Sequence, residues 1–393
     1  MTSASERTGV LEHAPDPAIL ASVRGILRDK VEHLAEEVDE LGTFPAESYQ
    51  ALARAGLAGL LIPHVEGGQQ ASTVTYAAVI EEIAAVCAST STVYMTQMHC
   101  AYPILVAGSP AQRQRYLPGL CSGTYYGAIA VSEPDAGSDA ASMRTSAVID
   151  GDAYVINGQK IFISNGDRAD VVVVFATMDR SRGKDAITAF VVERGSPGFT
   201  AGQPIHKLGQ RGASTVEMFF SDCRVPLDNM LGPPGSGFQL AMRALAKSRI
   251  SAAAQGVGFA RGAYEAAARH FARRGMLDAS SSDAQDVQFE LAGMYADIAA
   301  ARALLWRTAL SVDTYGDDAW RDRETDIAVT KLHCTDLSVR VAAQAARLLG
   351  EDGDRSDLGV ERRLRDAKVT QIYDGTNQIQ RMLIARAIRR AHA

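Results

Sequence analysis

A carboxylate that could act as a base lies near the end of the chain, in the segment QIYDGTNQIQRMLIAR (371–386). Asp374 stands there between Tyr373 and Gly375, just before a stretch with amphipathic helical spacing. A carboxylate in this position can remove a proton from a bound molecule, or it can cap the helix that follows. The segment by itself leaves both roles open.

Three loops rich in Ser, Asp, Asn and Gly could supply hydrogen bonds to a bound molecule. They are VSEPDAGSD (131–139), KIFISNG (160–166) and KLGQRGAST (207–215). Each could also be an ordinary turn, because these residue types are common in turns. Their order and spacing along the chain are more informative than any single loop.

Other chemistries lack their sequence signals. The chain has no G-x-x-x-x-G-K-S/T loop and no G-x-S-x-G segment, and GSGFQL (235–240) lacks the third glycine of a dinucleotide-binding motif. Five scattered cysteines form no C-x-x-C pair, and the eight histidines show no H-x-x-x-H spacing, so no metal site is indicated. His99, between Met98 and Cys100, is the histidine most suggestive of a pocket.

The composition favours a globular protein that acts on small molecules or other proteins. Apolar residues make up 47% of the chain and charged residues 22%, with a net charge of -6. This balance argues against a nucleic-acid groove, and no basic run suggests a membrane patch. Residues 1–18 lack the apolar core of a signal peptide, and no stretch of about 18 apolar residues follows. We therefore expect a cytoplasmic protein.

The elements that must position the polar loops occur in blocks. Helical spacing dominates the first third of the chain, short β-type runs follow, and long Ala-rich helical segments return at the end. Separate blocks exclude a doubly wound sheet, in which strands and helices alternate, and indicate an α+β protein. We expect an N-terminal helical domain (1–124), a central β domain (125–236) and a C-terminal helical bundle (237–393). Within the β domain, Asp150-Gly151 predicts a hairpin and Asn157-Gly158 another turn.

In their order and spacing, the three loops and the segment around Asp374 resemble the acyl-CoA dehydrogenase family over essentially the whole chain. The resemblance implies a helical domain, a β-barrel-like domain and a four-helix bundle, assembled as a homotetramer with one FAD per subunit. It also implies removal of a Cα proton and a Cβ hydride from an acyl thioester, bound to CoA or to a carrier protein. The electrons would pass to electron-transfer flavoprotein.

The resemblance further implies which residues hold the flavin. Near the first two loops they are Ile129, Ala130, Val131, Ser132, Ser138, Phe162, Ile163 and Ser164. Phe162 stands where the family places an aromatic residue against the flavin. In the C-terminal half they are Arg274, Gln285, Arg347, Gly350, Thr376, Asn377 and Gln378, of which the first four match segments that reach a neighbouring subunit's cofactor.

Two cofactor segments depart from the family pattern. The family's R-x-x-F-G is RGMLD (274–278) here, and its Q-I-L-G-G is RLLGE (347–351). In addition, Ala246 replaces a carboxylate usually found three residues before a substrate-binding arginine, here Arg249. The contacts to the cofactor and to the carrier end of the thioester are therefore expected to differ from those of the family.

By the same resemblance Ser138, Arg249 and Gly375 contact substrate, and the residue after the tyrosine is the base. Most family members have glutamate at that position, and this chain has Asp374. Some relatives instead keep the base beside the arginine, where this chain has Ser248. The backbone N–H of Asp374 and a flavin ribityl hydroxyl would donate to the thioester oxygen and stabilise its developing charge. Aspartate is shorter than glutamate by about 1.5 Å, so substrate or backbone must shift to meet it.

Two other functions remain open at this point. A flavin oxidase of the nitroalkane oxidase type also uses aspartate, and it would need no thioester cleft. A binding or scaffold protein could keep the fold without catalysis, although retention of the flavin loops and of a carboxylate at position 374 argues against it.

Overall fold

The computed structural model describes residues 14–278, 280–316 and 320–392. The prediction that no signal peptide is present rests on residues 1–18, and residues 1–13 of this segment lie outside the described residues. No helix in these described ranges combines the length and the apolar character needed to cross a membrane. The order of elements is helical, then β, then helical, so the predicted α+β class is confirmed.

The N-terminal part consists of helices, two of which are almost entirely buried. Ser72 caps the first of these by accepting a hydrogen bond from the Thr75 N–H, and a capping box of Ser109 and Gln112 begins the last helix of this part. The helices are α1 (Pro17–Ile26), α2 (Ala35–Glu40), α3 (Ala46–Arg54), α4 (Thr73–Val86), α5 (Ala88–Ala107) and α6 (Pro110–Ser122).

The middle part is a mixed sheet. Its strands are β1 (Gly127–Ala130), β2 (Ser146–Asp150), β3 (Ala153–Ser164), β4 (Val171–Thr177), β5 (Ile187–Glu193), β6 (Phe199–Ala201), β7 (Thr215–Pro226) and β8 (Met230–Leu231). The strand order is β6-β7-β3-β2-β4-β5-β8, and β1 pairs in parallel with β4. Strand β4 is VVVVFAT and is buried along its whole length, because helices or strands cover both of its faces.

One of the two predicted turns in the sheet is wrong. Asp150 pairs with Ala153 around Gly151, so the predicted hairpin is confirmed. Asn157-Gly158 instead lies inside β3, where the pairing with β7 shifts register. A Cβ on Gly158 would lie 2.5 Å from the Thr145 hydroxyl oxygen, so glycine is present here for close packing and not for chain reversal.

The C-terminal part is a bundle of long helices. Gly256 and Gly258 allow α7 to approach its neighbours closely, since a Cβ on either would lie 2.8 Å and 2.6 Å from a backbone carbonyl of α9 and α4 respectively. This close packing places α7 against both the N-terminal helices and the rest of the bundle. The helices are α7 (Gly237–Arg273), α8 (Ser282–Tyr315), α9 (Glu324–Leu349), α10 (Val360–Ala367) and α11 (Asn377–Ala391).

Candidate active site

A cavity of about 1500 Å³ opens where the three parts meet. Its walls come from α5, from the loops after β1 and around 207–215, from the end of β3, from the start of α7 and from the segment before α11. Typical sites for a single small ligand occupy about 300–1,000 Å³. This cavity therefore has room for a large cofactor together with a substrate.

A buried ion pair holds the loop after β1 in place. The Lys160 ammonium donates to the Val131 carbonyl at 3.0 Å and to the Glu133 carboxylate at 2.9 Å, and Glu133 also accepts from the Arg144 and Thr145 N–H groups. Burial lowers the pKa of Lys160 to about 8, against the raising effect of Glu133. Burial alone would raise the pKa of Glu133, but Lys160 and the N–H donors hold it below its usual value. Both groups are therefore charged at neutral pH.

Phe162 lies at the cavity wall in an unusual backbone conformation. Its φ is +60°, and it sits at a second register shift between β3 and β7. A bulky residue at positive φ is strained, and such strain is concentrated at functional sites. The shift leaves the aromatic ring 64% exposed in the wall of the cavity. The ring thus offers an apolar face without a partner in the described chain.

The turn that carries Asp374 is also left-handed. Asp374 has φ +54° and Gly375 has φ +88°, and both line the cavity with Thr376. Asp374 Oδ2 is buried, and no described residue donates a hydrogen bond to it. The Thr376 hydroxyl caps α11 by accepting from the Ile379 N–H. Thr376, and not Asp374, therefore caps the helix that follows.

Buried donors fix the carbonyls of this turn. Arg249, which is 5% exposed, donates from Nε to the Asp374 carbonyl at 3.3 Å. Lys331 and Gln380 each donate to the Gly375 carbonyl at 2.9 Å. Burial lowers the pKa of Arg249, against the raising effects of Glu324 and Asp374. Arg249 therefore supports the turn in addition to lining the cavity, where its predicted substrate contact remains a prediction.

Most of the predicted flavin and substrate residues come together in this cavity. Those that line it are Ile129, Val131, Ser132, Ser138, Phe162, Ile163, Ser164, Arg249, Asp374, Gly375 and Thr376. Ala130 does not line it, because its side chain points into the core of the sheet. Asn377 is buried away from the cavity and bonds Lys331, Thr335 and Asp336, while Gln378 is exposed.

The remaining predicted cofactor residues gather at one end of the bundle, outside the cavity. Arg274 follows the last residue of α7 and donates to Asp352 at 2.7 Å. Gln285 is exposed near the start of α8, and Arg347 lies near the end of α9, just before Gly350. Four separated positions thus form one exposed surface, as a contact to a neighbouring subunit would require.

Several polar residues of the cavity region were not predicted. Lys331 and Gln380 lie behind the turn, and Gln210, at φ +49°, accepts from the Thr92 hydroxyl at 2.7 Å. Lys331 could have been found from the sequence, because it stands on the apolar stripe of α9. His99 lines the cavity as suspected, and its Nε2 is buried without a partner among the described residues. Burial lowers its pKa, against the effect of Asp374, so the imidazole is neutral at neutral pH.

The residues present fit a flavin. The exposed Phe162 ring supplies a flat apolar face, and the volume of about 1500 Å³ accommodates both a flavin and an acyl group. Ser132, Ser138 and Ser164 line the same cavity and can donate hydrogen bonds, and such donors adjust the electronic properties of a flavin ring.

Comparisons with known proteins agree along most of the chain. Family models match in series: acyl-CoA dehydrogenase N-terminal domain at residues 16–124, middle domain at 128–223 and C-terminal domain at 235–389. Cyclohex-1-ene-1-carbonyl-CoA dehydrogenase of Geobacter metallireducens is 40% identical over 370 residues, covering 94% of this chain and 96% of the relative.

Solved structures also match this chain over most of its length. Butyryl-CoA dehydrogenase from Megasphaera elsdenii superposes with a TM-score of 0.88 at 34% identity, covering 94% of this chain and 97% of the other. The prolyl acyl carrier protein oxidase AnaB has a TM-score of 0.87 at 28% identity, covering 95% and 100%. The predicted helical, β and helical architecture is thereby confirmed.

Proposed function

Since the chain belongs to the acyl-CoA dehydrogenase family and is thus an FAD-dependent oxidoreductase of CH–CH groups, we propose that Asp374 is the base that removes the α-proton of an acyl thioester. One observation carries this proposal. The Asp374 carboxylate lies at the wall of a cavity large enough for two ligands, and its Oδ2 lacks a hydrogen-bond donor among the described residues. Its backbone carbonyl is fixed by Arg249, so the turn is held in place before substrate binds.

The flavin, when bound, supplies the acceptor for the hydride that leaves Cβ. Ser132, Phe162 and Ser164 would hold it from the sheet side, and Thr376 would hold it from the bundle side. These contacts remain predictions, as do those of Ile129, Val131, Ser138 and Ile163. Ala130, Asn377 and Gln378 would need backbone contacts, since their side chains do not line the cavity.

Proton removal by a carboxylate requires help at the other end of the thioester, because an α-proton beside a thioester is only weakly acidic. No hydrogen bond within the described chain uses the backbone N–H groups of Asp374, Gly375 or Thr376. Successive N–H groups in a left-handed turn form a concave anion site. They are therefore available to stabilise negative charge on the thioester oxygen while Asp374 accepts the proton.

The thiol and the acyl group are proposed from the relatives. Two of the compared proteins are named for CoA thioesters and one for an acyl carrier protein. We favour CoA, with a cyclic or short acyl group, and electron-transfer flavoprotein as the acceptor. A cytoplasmic location and domain limits at 124/125 and 236/237 also remain predictions.

The test is an anaerobic spectral titration of the FAD-loaded protein with a thioester panel. Straight-chain, cyclohexenyl and carrier-bound acyl groups are compared, with nitroethane as the matched non-thioester. We expect at least one CoA thioester to bleach the flavin and yield an enoyl product, because only a thioester would use both the base and the N–H groups. Bleaching by nitroethane alone would contradict the proposal and favour the nitroalkane oxidase alternative.

A further inference from the structure

Two fully buried lysines in the described chain have very different surroundings. Lys160 and Lys331 are both 0% exposed. Lys160 contacts the Glu133 carboxylate at 2.9 Å, which accounts for a cation in the protein interior. Lys331 forms no ion pair within 4.0 Å with a described residue; its ammonium donates to the Gly375 carbonyl at 2.9 Å and to the Asn377 side-chain oxygen at 2.8 Å. An unpaired buried charge is costly, so Lys331 calls for a different explanation.

The contact of Lys331 is with the turn that carries the base. A trans peptide is planar, so its C=O and N–H point in opposite directions. Lys331 and Gln380 hold the Gly375 carbonyl on the protein side, which directs the Thr376 N–H of the same peptide away from them. Arg249 acts in the same way on the Asp374 carbonyl and therefore on the Gly375 N–H. Two buried cations thus lie behind two peptides whose N–H groups have no partner in the described chain.

The position of Lys331 is itself fixed by a network. Asn377 accepts from Lys331 and donates to Asp336 at 2.7 Å and to the Thr335 hydroxyl at 3.0 Å. Asp336 also accepts from Gln371 and Arg381. The network therefore holds Asn377 where it keeps the ammonium directed at the Gly375 carbonyl.

We propose that Lys331 is a positioning residue for the thioester oxygen: it fixes and polarises the Gly375–Thr376 peptide so that the turn stabilises the negative charge that forms as Asp374 takes the α-proton. The inference rests on the proposed function. Hydrogen bonds in series strengthen one another, so a cation on the carbonyl makes the N–H of the same peptide a better donor. The proton moves from Cα to the Asp374 carboxylate, and Lys331 keeps its own.

The charge state of Lys331 predicts a pH dependence that can be measured. Burial, together with the nearby Arg249, lowers its pKa to about 8, against the raising effects of Asp374 and Asp336. The ammonium form predominates below this pH and is lost as the pH rises through about 8. Stabilisation of the thioester oxygen should therefore weaken on the alkaline side.

The experiment compares Lys331→Met, which removes charge and donor, with Lys331→Gln, which keeps a neutral donor. Thr330→Val is the matched control, because it removes a buried hydrogen bond of the same helix, to the Thr308 hydroxyl, without touching Asn377 or Gly375. Calorimetry measures binding of an enoyl-CoA and of a thioether analogue that lacks the carbonyl oxygen. We expect Lys331→Met to weaken binding of the enoyl-CoA about tenfold and to leave the thioether unchanged, with the Gln variant intermediate.

Flavin reduction supplies the second readout. Loss of a direct oxyanion donor costs about 10²–10³ in rate, so an indirect role predicts a loss of about tenfold to a hundredfold in the limiting rate for Lys331→Met. The alkaline decline near pH 8 should disappear in that variant. Equal weakening of both ligands, or the same losses in Thr330→Val, would overturn the inference.

Two further results distinguish a failure of this inference from a failure of the proposed function. If Lys331→Met does not fold, the wild type still tests the idea, because its preference for the enoyl-CoA over the thioether must fall as the pH passes about 8. A preference that stays constant would overturn the inference. A wild type reduced by no thioester would instead contradict the proposed function.

Discussion

At Asp374 the side chain and the backbone have separate tasks. The carboxylate has an oxygen without a donor in the described chain, while the backbone at φ +54° directs the carbonyl toward Arg249. A non-glycine residue in this conformation is strained, and the buried donors around it compensate for the strain. The backbone of the proposed base is therefore held by the scaffold behind it, which fixes how far its carboxylate reaches into the cavity.

That fixed reach predicts the effect of lengthening the side chain. Asp374→Glu moves the carboxylate by about 1.5 Å, and an error near 1 Å costs about a hundredfold in rate. We expect the variant to fold and to bind FAD, since the side chain faces a cavity, and to reduce its flavin about a hundredfold more slowly with the best wild-type thioester. Anaerobic stopped-flow spectroscopy measures this rate. An unchanged rate would show that the position of the base is not fixed.

The sequence predicted the residues of the cavity well where a motif surrounded them. Asp374, Ser132 and Phe162 were assigned from motifs that resemble those of the family, and all three line the cavity. Lys331 stands on the apolar stripe of α9, but it was missed because a single lysine in a helix usually faces solvent; the packing of α9 shows that this one is buried. Asn157-Gly158 was predicted as a turn because local chemistry cannot reveal the close approach of Thr145.

Among the elements, β3 links the sheet to the cavity. It carries Lys160, which anchors the loop after β1, and two residues later Phe162, which leaves the ladder at a register shift. The ion pair of Lys160 and Glu133 therefore ties β3 to the loop after β1, and both of these segments form walls of the cavity. Removing one partner would leave a buried charge unpaired.

Lys160→Met should destabilise the fold by about 3–5 kcal/mol and lower the flavin content. Glu133→Gln combined with Lys160→Met should recover part of this stability, because no buried charge remains. Arg224→Met, in an exposed pair with Asp150, is the control and should behave like the wild type. Chemical denaturation and flavin release measure both effects. A single variant as stable as the wild type would contradict the role of the pair.

At the scale of the whole molecule, one face of α8 is exposed and apolar. Phe289 is 66% exposed, and small residues continue the face along the helix toward Ala303. They are Ala292, Gly293, Ala296, Ala299 and Ala300. Gln285 lies one turn before Phe289 on this face, close to the surface formed with Arg274 and Arg347. We propose that this face packs against another subunit in a homotetramer and brings these polar residues to a neighbour's cofactor.

The tetramer predicts a light-scattering mass about four times the 41.9 kDa of the chain. Ala296→Arg should shift the mass downward and release FAD, because a long charged side chain cannot be accommodated between packed helices. Ala21→Arg, at an exposed position of α1, is the matched control and should keep both the mass and the flavin. A monomeric wild type with full flavin would contradict this assembly.

The most direct test of the account is anaerobic flavin reduction in Asp374→Asn. The amide keeps the shape of the side chain, so FAD and thioester should still bind, but it cannot accept the α-proton. We predict that reduction by the best wild-type thioester slows by about 10²- to 10⁴-fold, the usual contribution of a general base. Near-normal reduction would show that another group removes the proton and would contradict the role assigned to Asp374.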